Sequence, residues 1–361
     1  MRITMVLPAF NLSGGIRVLA TYAERLRRRG HRVLAVAFPE QPPTLWQSLR
    51  SLLKGRGWPP RPRPLPSHFD GLEVERRLIA HPPPLVDADV PDADVILGSW
   101  WETVRWVMGL APSKGAKFHF VQGYEVFAGR PEEVDAVYRL PIPKIAVSVW
   151  LRDLLTDRFG RPPLALVPNS VDLDRFHAPP RGKQPTPTVG VIYNTLSIKG
   201  CDISLRAYEL AARELPGLQL LAMSEVLPSA SLPLPPGTDF IHRARDDALR
   251  ATYARCDAWL SGSREEGFGL PILEAMACRT PVIATPAGAA PELLAGGGGA
   301  LVAHEDPAEM ARAIVRVCSL PEAEWRALSD AALAKATGHT WDDATDLLEA
   351  ALKRAVEQKA G

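Results

Sequence analysis

Residues 263–285, SREEGFGLPILEAMACRTPVIAT, gather the side chains of this sequence best suited to chemistry. Glu265 and Glu266 precede the turn Gly267-Phe268-Gly269, and Leu270-Pro271 opens an apolar run that carries Glu274. The segment before them, DAWLSGS, reads as a buried strand, and a proline in the first turn marks a helix start. A strand, a glycine turn and a helix start leave backbone N–H groups unpaired at the positive end of the helix dipole. That arrangement binds phosphate, and glycines let the ligand come close to the backbone. Glu274 lies one helical turn past Leu270, so its side chain points back toward the helix N-terminus, where a carboxylate accepts ribose hydroxyls. Glu266 stands before the turn and can accept hydroxyls of a second sugar beyond the phosphates. One acid at a helix start is commonly a cap. Two acids bracketing Gly-Phe-Gly-Leu-Pro point to a ligand.

The elements that must hold these groups follow from the periodicity. RITMVLPAF is an apolar strand ending in NLSGG, and Ile16, Leu19, Tyr22, Ala23 and Leu26 then recur at helical spacing up to Gly30. HRVLAVAF returns to strand, completing a β-loop-α-β unit of the kind that builds a doubly wound parallel sheet. ADVILGSW, AKFHFVQG and KIAVSV continue as short, wholly apolar strands, as buried parallel sheets require. The proline-rich stretch HAPPRGKQPTPT reads as a linker, and the pattern restarts after it. TVGVIYN, LQLLAMS, TDFIH, DAWLSGS, PVIAT and ALVA are strands with helices between them. The expected organisation is therefore α/β, with one Rossmann-like domain over 1–176, a linker over 177–187 and a second over 188–340. The amphipathic helix of 341–361 is expected to pack back toward the first domain.

Composition narrows the class further. A chain of 361 residues with 46% hydrophobic and 23% charged residues suits two soluble globular domains. No run approaches the ~18 apolar residues of a membrane span, and MRITMVLPAF passes straight into a turn rather than forming a signal peptide. Cys201, Cys256, Cys278 and Cys318 are widely spaced among apolar neighbours, which predicts buried free thiols in a reducing cytoplasm. The net charge of +1 divides unevenly, with +10 over residues 1–68 and −9 over the rest. Such a basic portion meets either an anionic partner or only solvent. No nucleic-acid partner is expected.

The 263–285 stretch, with GAAPELL after it, resembles the retaining glycosyltransferases of family 4, also called group 1. The resemblance implies the GT-B fold, two Rossmann-like doubly wound domains with a cleft between them. By the same resemblance Glu266 contacts the donor sugar, Glu274 holds the nucleotide ribose, and the amides of Gly267, Phe268, Gly269 and Leu270 hold the diphosphate. The donor would be a nucleotide-diphosphate sugar, used as a substrate with no cofactor and no metal. Lys199 of Tyr193-Asn194-Thr195-Leu196-Ser197-Ile198-Lys199-Gly200 matches a family lysine that neutralises the leaving diphosphate. The accompanying family arginine is replaced by Tyr193 or Asn194, so either another cation such as Arg243 or Arg245 supplies that charge or the enzyme is slow or altered. Gly14-Gly15 matches the family's first glycine loop, and VPNSVDLDRF its segment near the hinge.

On the acceptor side, Gln122 of HFVQGYE holds the place where relatives often carry histidine, with Tyr124 and Glu125 beside it as further acceptor contacts. Trp100, Trp101 and Trp106 either line an acceptor cleft or fill core. Residues 44–63 combine Leu45, Trp46, Leu49, Leu52, Leu53 and Trp58 with five cations, which suits peripheral contact with an anionic membrane face, or a helix packed on its own sheet. The Asp87/Asp89 and Asp92/Asp94 triplets read as an acidic loop before a strand rather than as a metal site. Two alternatives to a transferase stay open: a nucleotide-sugar epimerase of the same fold, and a degenerate protein that binds nucleotide or glycan without turnover. A dehydrogenase is disfavoured because no G-x-G-x-x-G follows the first strand.

Overall fold

The computed structural model describes residues 1–39, 46, 52, 66–244 and 246–360. By contacts the chain forms two units: Met1–Ala146 with Asp153–Leu166 and Thr345–Gly361, and Val147–Arg152 with Val167–Ala344. This division differs from one drawn at the proline-rich stretch, because residues 167–176 belong to the second unit.

The first unit is a seven-stranded parallel sheet ordered β3-β2-β1-β4-β5-β6-β7. Its strands are β1 (Arg2–Val6), β2 (Arg32–Ala37), β3 (Glu75–Leu78), β4 (Val95–Gly98), β5 (Ala116–Val121), β6 (Lys144–Ala146) and β7 (Ala165–Leu166). Ile3 pairs with Val33 on one side and Val95 on the other, so β1 lies inside the sheet and its apolar residues are buried. The expected strands are all present. The two edge strands were not read from sequence: β3 is mostly charged, and β7 spans only two residues. In β3, Glu75, Arg76 and Leu78 are exposed, as edge strands often are. Val6, Leu34, Val36, Ile96 and Val107 pack one face of the sheet.

Most of the basic charge described in 1–39 is compensated within this unit. Arg27 and Arg28 both pair with Glu24, whose carboxyl the Arg27 hydrogen bond holds below the usual range. Arg2 pairs with Asp94, and Arg29 with Asp346 and Glu349 of the helix Trp341–Ala360. Of the other loop carboxylates, Asp87 accepts the Ala111 N–H, Asp89 holds His81 and Asp92 holds Lys114.

The second unit has six parallel strands: β8 (Thr188–Ile192), β9 (Gln219–Ser224), β10 (Asp239–His242), β11 (Ala258–Ser261), β12 (Val282–Ala284) and β13 (Gly299–Leu301). Their order, β10-β9-β8-β11-β12-β13, is that of a dinucleotide-binding sheet. Val189, Val191, Leu220, Leu260 and Ile283 meet Met310 and Ile314 of the helix Pro307–Ser319, and Trp325 of Glu322–Thr337. Each such fully buried side chain contributes about 1.5–3 kcal/mol. All four cysteines are free and buried, and burial pushes the Cys201 thiol up to about 11 and the Cys278 thiol up to about 12. No helix among the described residues is long and apolar enough to cross a membrane.

Candidate active site

In a sheet of this order the strand sequence reverses between the two central strands, and ligands bind outside their carboxyl ends. In the second unit those strands are β8 and β11, and the loops leaving them carry Lys199 and Glu266. The two groups meet: Lys199 Nζ lies 2.8 Å from Glu266 Oε1. Neither is fully buried, with 34% of the lysine and 16% of the glutamate side chain exposed, so a ligand can reach both.

Close backbone contact makes this meeting possible. Gly200 has φ +53°, and a Cβ there would stand 1.7 Å from the Gly262 carbonyl oxygen. A Cβ on Gly262 would stand 2.6 Å from the Gly200 oxygen and 2.7 Å from Ser204 Oγ. The Arg264 and Glu265 N–H groups both donate to the Ile198 carbonyl, lacing the second loop to the first. The Arg264 guanidinium spans Asp202 and Glu305 and reaches the Ser197 carbonyl, so its charge is spent on the scaffold. Ser263, only 5% exposed, donates from Oγ to Glu266 Oε1 at 3.1 Å. Gly288 of GAAPELL also belongs here: a Cβ on it would lie 2.7 Å from the Glu266 Cβ.

The glycine turn is pinned by its carbonyls. Gly267 O accepts from Ser148 Oγ at 2.8 Å and from the Trp150 indole at 2.9 Å, while Phe268 O accepts the Ala289 N–H. Gly269, at φ +95°, caps the helix Leu270–Ala277, which has no side-chain cap. The Gly267, Phe268 and Gly269 N–H groups donate to no acceptor among the described residues. Donors held this way beside an ammonium form an anion-binding surface. Glu274 lies four residues into that helix, 5% exposed, and its Oε2 accepts the Tyr253 hydroxyl at 2.7 Å. It is a more enclosed carboxylate than its spacing suggests.

The remaining expected donor contacts divide. Asn194 Oδ1 accepts the Leu196 N–H and so shapes the loop that presents Lys199. Tyr193 does not take an arginine's place: it is 1% exposed and its hydroxyl bridges Leu232 and Ser229. Arg243 follows β10, two strands from β8, and its exposed guanidinium makes no ion pair among the described residues. Arg245 lies outside the described residues.

The first unit repeats the arrangement at β1 and β4. Gly14 and Gly15 open the helix Gly14–Arg28 after β1. The Gln122 amide lies against Gly15, 3.4 Å from where a Cβ would stand. Tyr124 and Glu125 are not presented as contacts. The Tyr124 hydroxyl donates to Asp135, and Glu125 is 2% exposed with its Oε2 accepting the Trp101 N–H at 2.8 Å. Burial pushes the Glu125 carboxyl up to about 8. Trp101 is buried, whereas Trp100 is half-buried beside the exposed Phe127. Residues 44–63 lie outside the described residues apart from Trp46 and Leu52, both exposed.

Residues 187–319 match the family model of the glycosyl transferases group 1. Over 231 residues, 56% of this chain, the sequence is 30% identical to the D-inositol 3-phosphate glycosyltransferase of Actinosynnema mirum. Over these residues the chain is similar to the group 1 glycosyltransferases. The matched stretch spans 55% of that relative's length, and matched stretches span 22–35% of the length of the other curated relatives. Solved structures share the fold of these glycosyltransferases at low identity. Sucrose-phosphate synthase of Thermosynechococcus elongatus superposes with a TM-score of 0.73 at 16% identity, covering 98% of this chain and 99% of that one. HepE of Anabaena, in complex with UDP-glucose, superposes with a TM-score of 0.68 at 17% identity, covering 100% and 99%. WaaG, a glycosyltransferase involved in lipopolysaccharide biosynthesis, gives 0.67 at 15% identity, covering 98% and 99%. The chain therefore has two parallel-sheet α/β domains of GT-B type.

Sequence reasoning missed Ser263, Arg264 and Tyr253. All three act on a neighbouring side chain or loop, and only the folded contacts say which one. Ser263 and Arg264 stood within the quoted stretch, so their position was visible but their partners were not.

Proposed function

We propose that this chain is a retaining, metal-independent glycosyltransferase that moves a hexosyl or deoxyhexosyl unit from a nucleotide-diphosphate sugar to a hydroxyl acceptor. The observation that carries the proposal is the Lys199–Glu266 pair beside the undonated amides of Gly267–Gly269, at the carboxyl ends of β8 and β11. The amides and the helix start hold the diphosphate, and Lys199 neutralises the charge that grows on it as the glycosidic bond breaks. Glu266 releases Lys199 to the phosphates and accepts hydroxyls of the transferred sugar. Glu274 accepts the ribose hydroxyls. The leaving phosphate oxygen takes the acceptor's proton, so no protein base is assigned. Most of the rate then comes from positioning and charge stabilisation.

HepE binds UDP-glucose with a similar fold, which supports a nucleotide-sugar donor here. On this reading the second unit is the donor side. The first unit, with Gln122, is the acceptor side, while its Gly14 and Gly15 are read as diphosphate contacts. A cytoplasmic location with peripheral contact at an anionic membrane face, through 44–63, completes the proposal, and flotation with vesicles of anionic lipid tests it. The decisive experiment is a thermal-shift series with UDP, GDP, ADP and dTDP, with and without EDTA, on wild type and Glu274→Ala. One nucleotide should raise the melting temperature, insensitive to EDTA and lost in the variant. Proton NMR of the product should then show the donor's anomeric configuration. No shift with any nucleotide, on folded protein, overturns the reading. Conversion of donor without acceptor would favour an epimerase.

A further inference from the structure

Tyr253 sits near the end of the helix Asp246–Ala254, fully buried, and its hydroxyl donates to Glu274 Oε2 at 2.7 Å. The rest of the residue is fixed from several sides. Its ring packs on Trp259 with centroids 4.4 Å apart and meets Phe176 edge-on at 6.0 Å. Its carbonyl accepts the Thr280 hydroxyl at 2.7 Å, which ties it to the chain just beyond the Glu274 helix. The hydroxyl therefore arrives at the carboxylate with little freedom left to lose.

A glutamate's last torsion is soft, so its carboxylate plane turns easily unless something holds it. We propose that Tyr253 is a positioning residue for the donor: its hydroxyl sets the plane of the Glu274 carboxylate and so the direction of the lone pairs that meet the ribose hydroxyls. This rests on reading Glu274 as the ribose contact. In this role Tyr253 acts on the donor through Glu274. Its removal should therefore weaken recognition of the two ribose hydroxyls and leave affinity for the rest of the nucleotide in place. Phenylalanine at 253 keeps the ring contacts with Trp259 and Phe176 and removes only the hydroxyl.

The test is calorimetric titration of the full chain with UDP, GDP and ADP, each against its 2′,3′-dideoxy analogue. Wild type, Tyr253→Phe and Glu274→Gln are compared, with the melting temperature of each recorded. Wild type should prefer at least one ribonucleotide, and Tyr253→Phe should lose roughly five- to tenfold of that preference, the effect of one misdirected charged hydrogen bond. Its affinity for the dideoxy analogue should stay within about twofold, since the uncharged contacts persist. A Tyr253→Phe protein that keeps the full preference, with or without a lower melting temperature, overturns the positioning role. If Glu274→Gln abolishes the preference in that case, the reading of Glu274 survives alone. A wild type with no preference for any ribonucleotide, or a Glu274→Gln protein that retains one, overturns the reading of Glu274 and the role of Tyr253 together.

Discussion

The Lys199–Glu266 pair joins two charges that sequence places 67 positions apart. If both act on the donor, each single change should remove most of what the pair supplies. Lys199→Ala and Glu266→Gln are each expected to lower kcat about 10²-fold. The double variant should fall well short of the product of the two losses, because residues acting as a unit are not additive. Steady-state rates with the donor found by thermal shift check this, and full additivity would mean the groups act separately. Glu125 shows how far a residue's type can mislead. Its sequence neighbourhood suggested an acceptor contact, yet it is a buried carboxyl raised to about 8 that holds the start of the helix Trp101–Met108. A folded-state value above the unfolded one means the stabilisation is whole below about pH 4.5 and is lost as pH rises toward 8. Relative to Glu125→Gln, wild type should therefore lose on the order of 4 kcal/mol across that window. Melting curves of both proteins from pH 5 to 8 measure it, and parallel curves would refute it.

At the scale of elements, the site is two loops laid backbone to backbone. Lys199 and Glu266 come within bonding distance because neither Gly200 nor Gly262 carries a side chain. Gly262→Ala should force the loops apart and destabilise the second unit by about 1–3 kcal/mol, the usual cost of overpacking. Calorimetry reads the stability, and binding of the identified nucleotide should weaken more than stability alone explains. A variant that melts and binds like wild type would show that the loops yield without consequence. The strands feeding these loops were legible because each is short, apolar and bounded by turns. The edge strand β3 was not, since its exposed Glu75 and Arg76 follow no apolar period.

For the whole molecule, the helix Trp341–Ala360 brings the end of the chain back to the unit formed by its beginning. From Thr345 onward it belongs to the first unit, where Leu348, Ala351 and Leu352 are buried. Arg29 and His31 both reach Glu349, and Lys353 with these groups holds its carboxyl down at about 2. Leu352→Ala should cost about 2–5 kcal/mol, as large-to-small changes in a closed core do. The loss should fall on the transition of the first unit, read by scanning calorimetry with and without nucleotide. A shift confined to the nucleotide-sensitive transition would place the helix with the other unit instead.

Sequence by itself determined the class of this protein. Alternating apolar runs and helical periods required two parallel α/β sheets, and Glu266-Gly-Phe-Gly-Leu-Pro with Glu274 marked a glycine turn and helix start flanked by two carboxylates. These signals are local, carried by neighbouring residues whose spacing fixes backbone shape. Tertiary structure alone decided which charges are available. Arg264 lies in the same loop as Glu266, but Asp202 and Glu305 neutralise it, whereas Lys199 faces Glu266 with part of its surface open. It also turned Tyr193 into the core and brought Tyr253 to Glu274. The physical reason is that a side chain's charge, exposure and reach depend on partners far along the chain, and only the packed sheet order brings those partners together.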